Sequence, residues 1–205
     1  LKLSDLGIKE NQISEAIVTT YNEDGSPNAA PIGISSIGED IVVMRIHTTS
    51  DTYNNLMRNK ACVINVTSDP YLFLSTTLLG RGKGATELEI ERESVDKAKK
   101  VNAPILKKSS AYIETELLAH KEYLKSDKFR PTKFSLIKCK VVDMSVSGNP
   151  IAVNRGLCAA IELAIKLSRR EDVDITEYLK IMEKTISRGE YEKILRLLKK
   201  VGVKH

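Results

Sequence analysis

The chain has 205 residues and a net charge of +5; 41% of the residues are hydrophobic and 29% are charged. This is enough for one large domain, or a domain with an appendage, to bury a core without disulfide or metal staples. Trp is absent and aromatic residues make up only 5%, which argues against a base-stacking nucleic-acid surface, and no apolar run approaches the ~20 residues of a membrane-spanning helix.

No secretory signal stands at the start of the chain. Cys62, Cys139 and Cys158 are far apart and each lies in an apolar run. An odd count at such spacing argues against a disulfide framework or a zinc site, and all three are expected as small core residues. Together these features place the protein in a reducing cytoplasm. A mildly basic balance suits phosphorylated small molecules and also fits nucleic acid.

The first two thirds read as β-rich. Ile13–Tyr21 is a predicted strand, Asn22-Glu-Asp-Gly25 a hairpin turn, and Asn28–Ile37 the return strand. An Asp-Gly pair between two apolar runs is a strong hairpin signal. Gly38-Glu-Asp40 is a further tight turn, and Ile41–Ile46 a third strand of branched residues. Three strands on short turns begin an antiparallel sandwich or barrel.

Asp51–Asn59 then reads as a short helix, Ala61–Thr67 as a strand, and Tyr71–Leu79 as strand or helix. Gly80-Arg-Gly-Lys-Gly84 is a basic loop; it lacks the Gly-Lys-Ser/Thr ending of a P-loop, and its alternative is a lid bringing Arg81 or Lys83 to an anion. A helix is predicted over Glu93–Lys100. Ala111–Tyr123 is ambiguous between helix and strand, whereas Lys133–Ser145 alternates as a strand should, with Ile137, Cys139 and Val141 on one side.

After Gly148-Asn-Pro150 the apolar spacing becomes helical over Ile151–Arg170, with Pro150 suited to a first turn. Asp174-Ile-Thr-Glu177 reads as a capping box opening a second helix that Gly189 ends, and Glu190–Lys200 as a third. The Lys-rich end reads as a solvated helix face. The predicted division is a barrel over 1–148 and a helical part over 149–205.

Two short stretches carry chemistry. Thr48, Thr49, Ser50 and Thr52 crowd a turn ahead of a helix N-terminus, with Asn55 one turn on and Arg45 just before. Hydroxyls, helix-start amides and a nearby cation are what a phosphate needs. The competing reading is plain capping by Ser50 or Asp51, and the Asp51 carboxylate favours it. Upstream, Asn28-Ala-Ala-Pro-Ile-Gly33 offers small residues and a proline that let a flat ring approach a backbone; the competing reading is a bulged edge strand. His47, His120 and His205 are isolated, so no metal site is expected. Nothing has the pattern of a nucleophile elbow or a triad. Asn154-Arg155, polar on an apolar helix, reads either as a contact to a ligand or partner subunit, or as a cap-like link to the barrel.

Taken together, this order of elements resembles the flavin reductase-like FMN-binding split barrels over about Glu15–Phe73. Three further pieces resemble an uncharacterised, largely archaeal branch with a helical C-terminal extension: Glu15-Ala-Ile-Val-Thr-Thr20, Asn65-Val-Thr-Ser-Asp-Pro-Tyr-Leu-Phe73, and Ala152-Val-Asn-Arg155 with Ala160-Ile-Glu162. The resemblance implies an α+β fold, mostly antiparallel β: a six-stranded or similar split barrel with a C-terminal helical subdomain. It implies a homodimer with FMN at the interface and a small-molecule redox partner. It maps the phosphate onto Ser50, Thr52 and Asn55, with Arg45 as candidate cation, and the ring onto Asn28, Ala29, Ala30 and Pro31. Thr19 and Thr20 are further lining. The implied function is that of a flavin-dependent oxidoreductase, with a non-catalytic FMN carrier or sensor as the alternative and a basic nucleic-acid module as a remoter one. No side chain marks itself as a catalytic acid or base.

Overall fold

The structure, a computed structural model, describes residues 1–78, 92–126, 131–147, 150–168, 173–200 and 203. The Gly80–Gly84 loop lies outside the described residues. Strand β1 (Ser14–Tyr21) turns at Asp24 and Gly25 into β2 (Pro27–Ile37). Gly25 has φ 76°, a left-handed conformation that glycine adopts at no steric cost, and the Asp24 carboxylate accepts from the Ser26 amide at 2.9 Å. β1 and β2 pair along their whole length, from Ser14↔Ile34 to Tyr21↔Pro27.

β3 (Ile41–His47), helix α1 (Asp51–Asn59) and β4 (Ala61–Val66) follow, with bounds close to those the sequence predicts. The ambiguous apolar run is helix α2 (Pro70–Leu78), and the ambiguous Ala111 run is a long strand, β7 (Ala111–Ser126), paired with β8 (Pro131–Val146). Six strands close a barrel in the order β1-β2-β3-β8-β7-β4. Alternate residues such as Val18, Ile34, Met44, Ile64, Ile113 and Ile137 fill it, and α1 adds Leu56 to the same core. On the outside, Leu72 and Phe73 of α2 cover Ile17 and Ala29.

The helix predicted over Glu93–Lys100 is absent. A 3₁₀ turn at Arg92–Ser94 leads instead into a two-stranded arm, β5 (Val95–Lys97) and β6 (Pro104–Leu106). The cause is tertiary. The fully buried Glu114 of β7 accepts the amides of Lys99, Lys100 and Val101 at 3.1, 2.6 and 3.1 Å. A carboxylate taking three backbone donors holds those residues in a tight turn, whatever their helix propensity.

The C-terminal helices are α3 (Arg155–Ser168), α4 (Thr176–Thr185) and α5 (Arg188–Lys200), with a core that includes Leu163, Leu179 and Met182. Three details correct the sequence reading. α3 starts at Arg155, four residues later than predicted, because Ala152 and Val153 are drawn into extended bonds: the Ala152 amide donates to Leu6 O and the Glu15 amide to Val153 O. Asp174 accepts the Thr176 amide but forms no reciprocal box. That box sits at Ser187 and Glu190, each side chain accepting the other's amide, so Gly189 lies inside α5 and does not end a helix. Cys62 and Cys139 are buried, whereas Cys158 is exposed on α3.

The β1–β4 ladder covers only Ile17–Thr19. Val153 bridges Glu15 beyond it, and the Ile13 amide donates to Thr185 O of α4. The extended segment before α3 and the end of α4 therefore complete the edge that β4 leaves uncovered on β1.

Candidate functional site

The barrel has a seam. β3 pairs with β8 along its full length, to His47↔Phe134. Its ladder with β2, however, covers only Ile34–Ile37. From Asn28 to Gly33, β2 has β1 on one flank and has left β3 on the other. Helix α1 packs against β1, β2 and β3 at this divergence.

Ser50 is the N-cap of α1. Its Oγ accepts the Tyr53 amide at 3.2 Å and donates to His47 O at 2.8 Å. This is the capping role weighed for it from sequence, and it leaves the amides of Asp51 and Thr52 outside the cap. Thr48 and Thr49 stand on the turn before it, Thr49 exposed.

Asn28, Thr52 and Asn55 are brought together and buried, with Thr20 at their centre. Asn28 Nδ2 donates to Thr20 Oγ1 at 3.0 Å and to Thr52 Oγ1 at 3.1 Å. Asn55 Nδ2 donates to Thr20 Oγ1 and to Asn22 Oδ1, and its Oδ1 accepts from Arg58 at 2.8 Å. Desolvated polar groups need partners, and here they supply one another. The network ties α1 to the β1–β2 hairpin. Thr19 faces the other way, donating to Pro104 O of the arm.

Ala29 is buried beneath α2, while Ala30 and Pro31 are half-buried at the open flank. Arg45 is set apart. Its neighbours Met44 and Ile46 point into the core, so Arg45 projects from the outer face of β3. There it borders an open groove with Lys121, Tyr123 and Leu136. Asn154 is the N-cap of α3: its Oδ1 accepts the Leu157 amide, and its Nδ2 donates to Ile13 O and Thr185 O. Arg155 pairs with Glu15 at 2.6 Å. Both are links to the barrel.

Sequence reasoning missed one cluster below the capped turn. The Tyr53 hydroxyl donates to Glu122 Oε1 at 2.6 Å, and Lys133 Nζ lies 2.5 Å from Oε2. The Lys133 ammonium, then the Tyr53 hydroxyl, holds the Glu122 carboxyl below the usual carboxylate range. The same hydrogen bond to Glu122 raises the Tyr53 phenol above its ordinary value. The members come from α1, β7 and β8, and no local spacing announces them.

A closed six-stranded antiparallel barrel whose second strand parts from its third is a split barrel. The model of the family described as "Protein of unknown function (DUF447) N-terminal domain" matches residues 14–143, and the chain belongs to that family. Among solved structures, the FMN-bound protein MM1853 from Methanosarcina mazei, of the same family, is 24% identical over 97% of this chain and 99% of its own, with a TM-score of 0.53. A protein described as a flavin reductase with split barrel domain from Shewanella frigidimarina is 20% identical, covering 67% and 68%, at TM-score 0.53. Nitrilotriacetate monooxygenase component B from Bacillus cereus is 18% identical, covering 71% and 78%, at TM-score 0.55. At these identities the likeness shows the fold, and it bears out the split-barrel resemblance read from the sequence.

Proposed function

We propose that the protein binds FMN at the seam between β2 and α1 and acts as a flavin-dependent oxidoreductase, as a homodimer with the cofactor at the subunit interface. The observation that carries this reading is the flank of β2 from Ala30 to Gly33, which pairs with β1 but not with β3, beside the N-terminus of α1. A similar chain aligned over nearly its whole length is FMN-bound, which supports it. The residues fit the group in part. Ala30 and Pro31, half-buried on the flank that β3 leaves, are where a ring would pack. For the phosphate, donors free among the described residues include the hydroxyl of Thr49 and the amides of Asp51 and Thr52; Arg45 lies on the outer face of the adjoining strand.

The buried side chains of Asn28, Thr52 and Asn55 position these elements through their bonds with Thr20 and with one another. Ser50 likewise fixes the turn. Bound FMN would supply hydride and electron transfer, and the protein would supply position and electrostatics.

The test is an FMN titration of the purified protein followed by its visible spectrum, with riboflavin in parallel. Wild type takes up FMN. Thr49→Glu, which adds a carboxylate at an exposed turn position, weakens FMN by about tenfold or more and riboflavin little. Wild-type protein that takes up no FMN refutes the reading. Anaerobic bleaching of the bound flavin by a reduced nicotinamide separates an oxidoreductase from a carrier, and light scattering tests the dimer.

A further inference from the structure

The β7–β8 hairpin runs on past the barrel. β4 pairs with β7 only as far as Ala61↔Glu116, yet β7 and β8 stay paired out to Ser126↔Pro131. Beyond Glu116, β7 has no strand partner except β8 among the described residues. Such an overhang leaves a strand edge open, which proteins ordinarily avoid. What it reaches is the turn between β3 and α1.

Two contacts make the connection. The Thr48 amide donates to Lys133 O at 3.1 Å, and the Thr48 hydroxyl to the same carbonyl at 3.3 Å. Glu122, on the facing strand, accepts the Tyr53 hydroxyl at 2.6 Å and pairs with the Lys133 ammonium. The Tyr53 ring is buried in the barrel core, and its amide donates to Ser50. These bonds close a circuit: Lys133 to Thr48, along the chain to Ser50, across to Tyr53, out to Glu122 and back to Lys133. Thr49, Asp51 and Thr52 sit between its fixed points. The circuit uses neither the Thr49 hydroxyl nor the amides of Asp51 and Thr52.

The charges balance as well. The Glu122 carboxyl, held below the usual carboxylate range by Lys133 and then by Tyr53, is ionised at neutral pH. Alone near the turn it would oppose an anion; with Lys133 on its other oxygen the pair is close to neutral. Any help it gives to anion binding therefore comes through geometry and not through attraction.

We propose that Glu122 is a positioning residue for the flavin phosphate, and that the overhang of β7 and β8 serves to carry it. Through Tyr53 and Lys133 it fixes the turn from Thr48 to Thr52 in the shape that presents the free donors. Little ordering is then left for the ligand to impose. This role rests on the FMN reading.

The full chain is titrated with FMN and with riboflavin, as wild type, Tyr53→Phe, Glu122→Gln and the double variant. Each single change is expected to weaken FMN by about three- to tenfold and to leave riboflavin unchanged. The double variant should fall short of the product of the two factors, because both changes break one bond. Glu122→Gln removes a negative charge, so a purely electrostatic role would tighten FMN, and Tyr53→Phe would then do nothing. A merely structural role would weaken FMN and riboflavin equally. Tighter FMN binding, equal losses for the two flavins, fully multiplicative losses, or an affinity indifferent to Tyr53→Phe overturns the proposal and leaves the flavin reading standing. Wild type that takes up no FMN defeats the flavin reading and this role with it. Tyr53→Phe keeps the buried ring, so the test holds even if Glu122→Gln disturbs folding.

Discussion

Glu122 joins two neighbours of opposite tendency, and that sets a pH signature. Its carboxyl is lowered in the folded state by Lys133 and Tyr53, so the folded protein keeps the charge that the unfolded chain surrenders sooner to acid. The contribution is whole above the ordinary carboxylate value, about 4.3, and is lost as pH falls through the lowered folded value. Tyr53 behaves inversely: its raised phenol contributes below about pH 10 and the contribution is lost as alkali titrates the folded group. Glu122→Gln should therefore flatten the acid limb of a plot of urea midpoint against pH. A second residue-scale outcome concerns thiols. Burial and the hydrogen bond with Cys62 raise the Cys139 thiol, the hydrogen bond being the larger effect, and only Cys158 is exposed. An aromatic disulfide reagent should titrate one thiol in the native protein and all three in denaturant. The sequence led to the residues of the seam, since Asn28, Thr52 and Asn55 do converge. It did not reveal that they pair with one another, because partner choice depends on how α1 sits on the hairpin, and that is settled between residues 24 to 35 apart in sequence.

Among the elements, the hairpin, the third strand and α1 were legible because each carries its own signal: Asp24-Gly25 for the turn, Ser50 for the cap, alternation for β8. The arm formed by β5 and β6 was not legible. Its turn is imposed by Glu114, which lies on another strand, so the local preference of Glu93–Lys100 for helix is overruled from outside. Glu114→Gln tests that account. It replaces a carboxylate with a group that has one acceptor oxygen facing three amides, and should cost about 2–3 kcal/mol. Amide exchange at Lys99, Lys100 and Val101 should accelerate well beyond that of β3. The start of α3 escaped the sequence reading for a related reason: helical periodicity ran back to Ala152, but β1 needed a strand partner there.

For the molecule as a whole, the joint between barrel and helices is narrow and tightly packed. A Cβ added at Gly156 would lie 2.5 Å from both Ile186 Cγ2 and Thr185 Oγ1. Gly156→Ala should therefore destabilise the joint by about 1–3 kcal/mol through overpacking. The expected readout is faster amide exchange at Ile13, whose acceptor is Thr185, with the interior of β4 unchanged. Equal acceleration everywhere would mean that barrel and helices open as one unit.

That joint also closes late in synthesis. β1 leaves the ribosome well before the residues that finish its open side, Val153 and Thr185, which emerge only after every strand of the barrel. Until they arrive, the stretch from Ile13 to Glu15 is an unsatisfied rim able to recruit a strand from a neighbouring nascent chain. A product truncated between β8 and Ala152 keeps that rim for good, which makes premature termination an aggregation hazard even though every strand of the barrel has been synthesised.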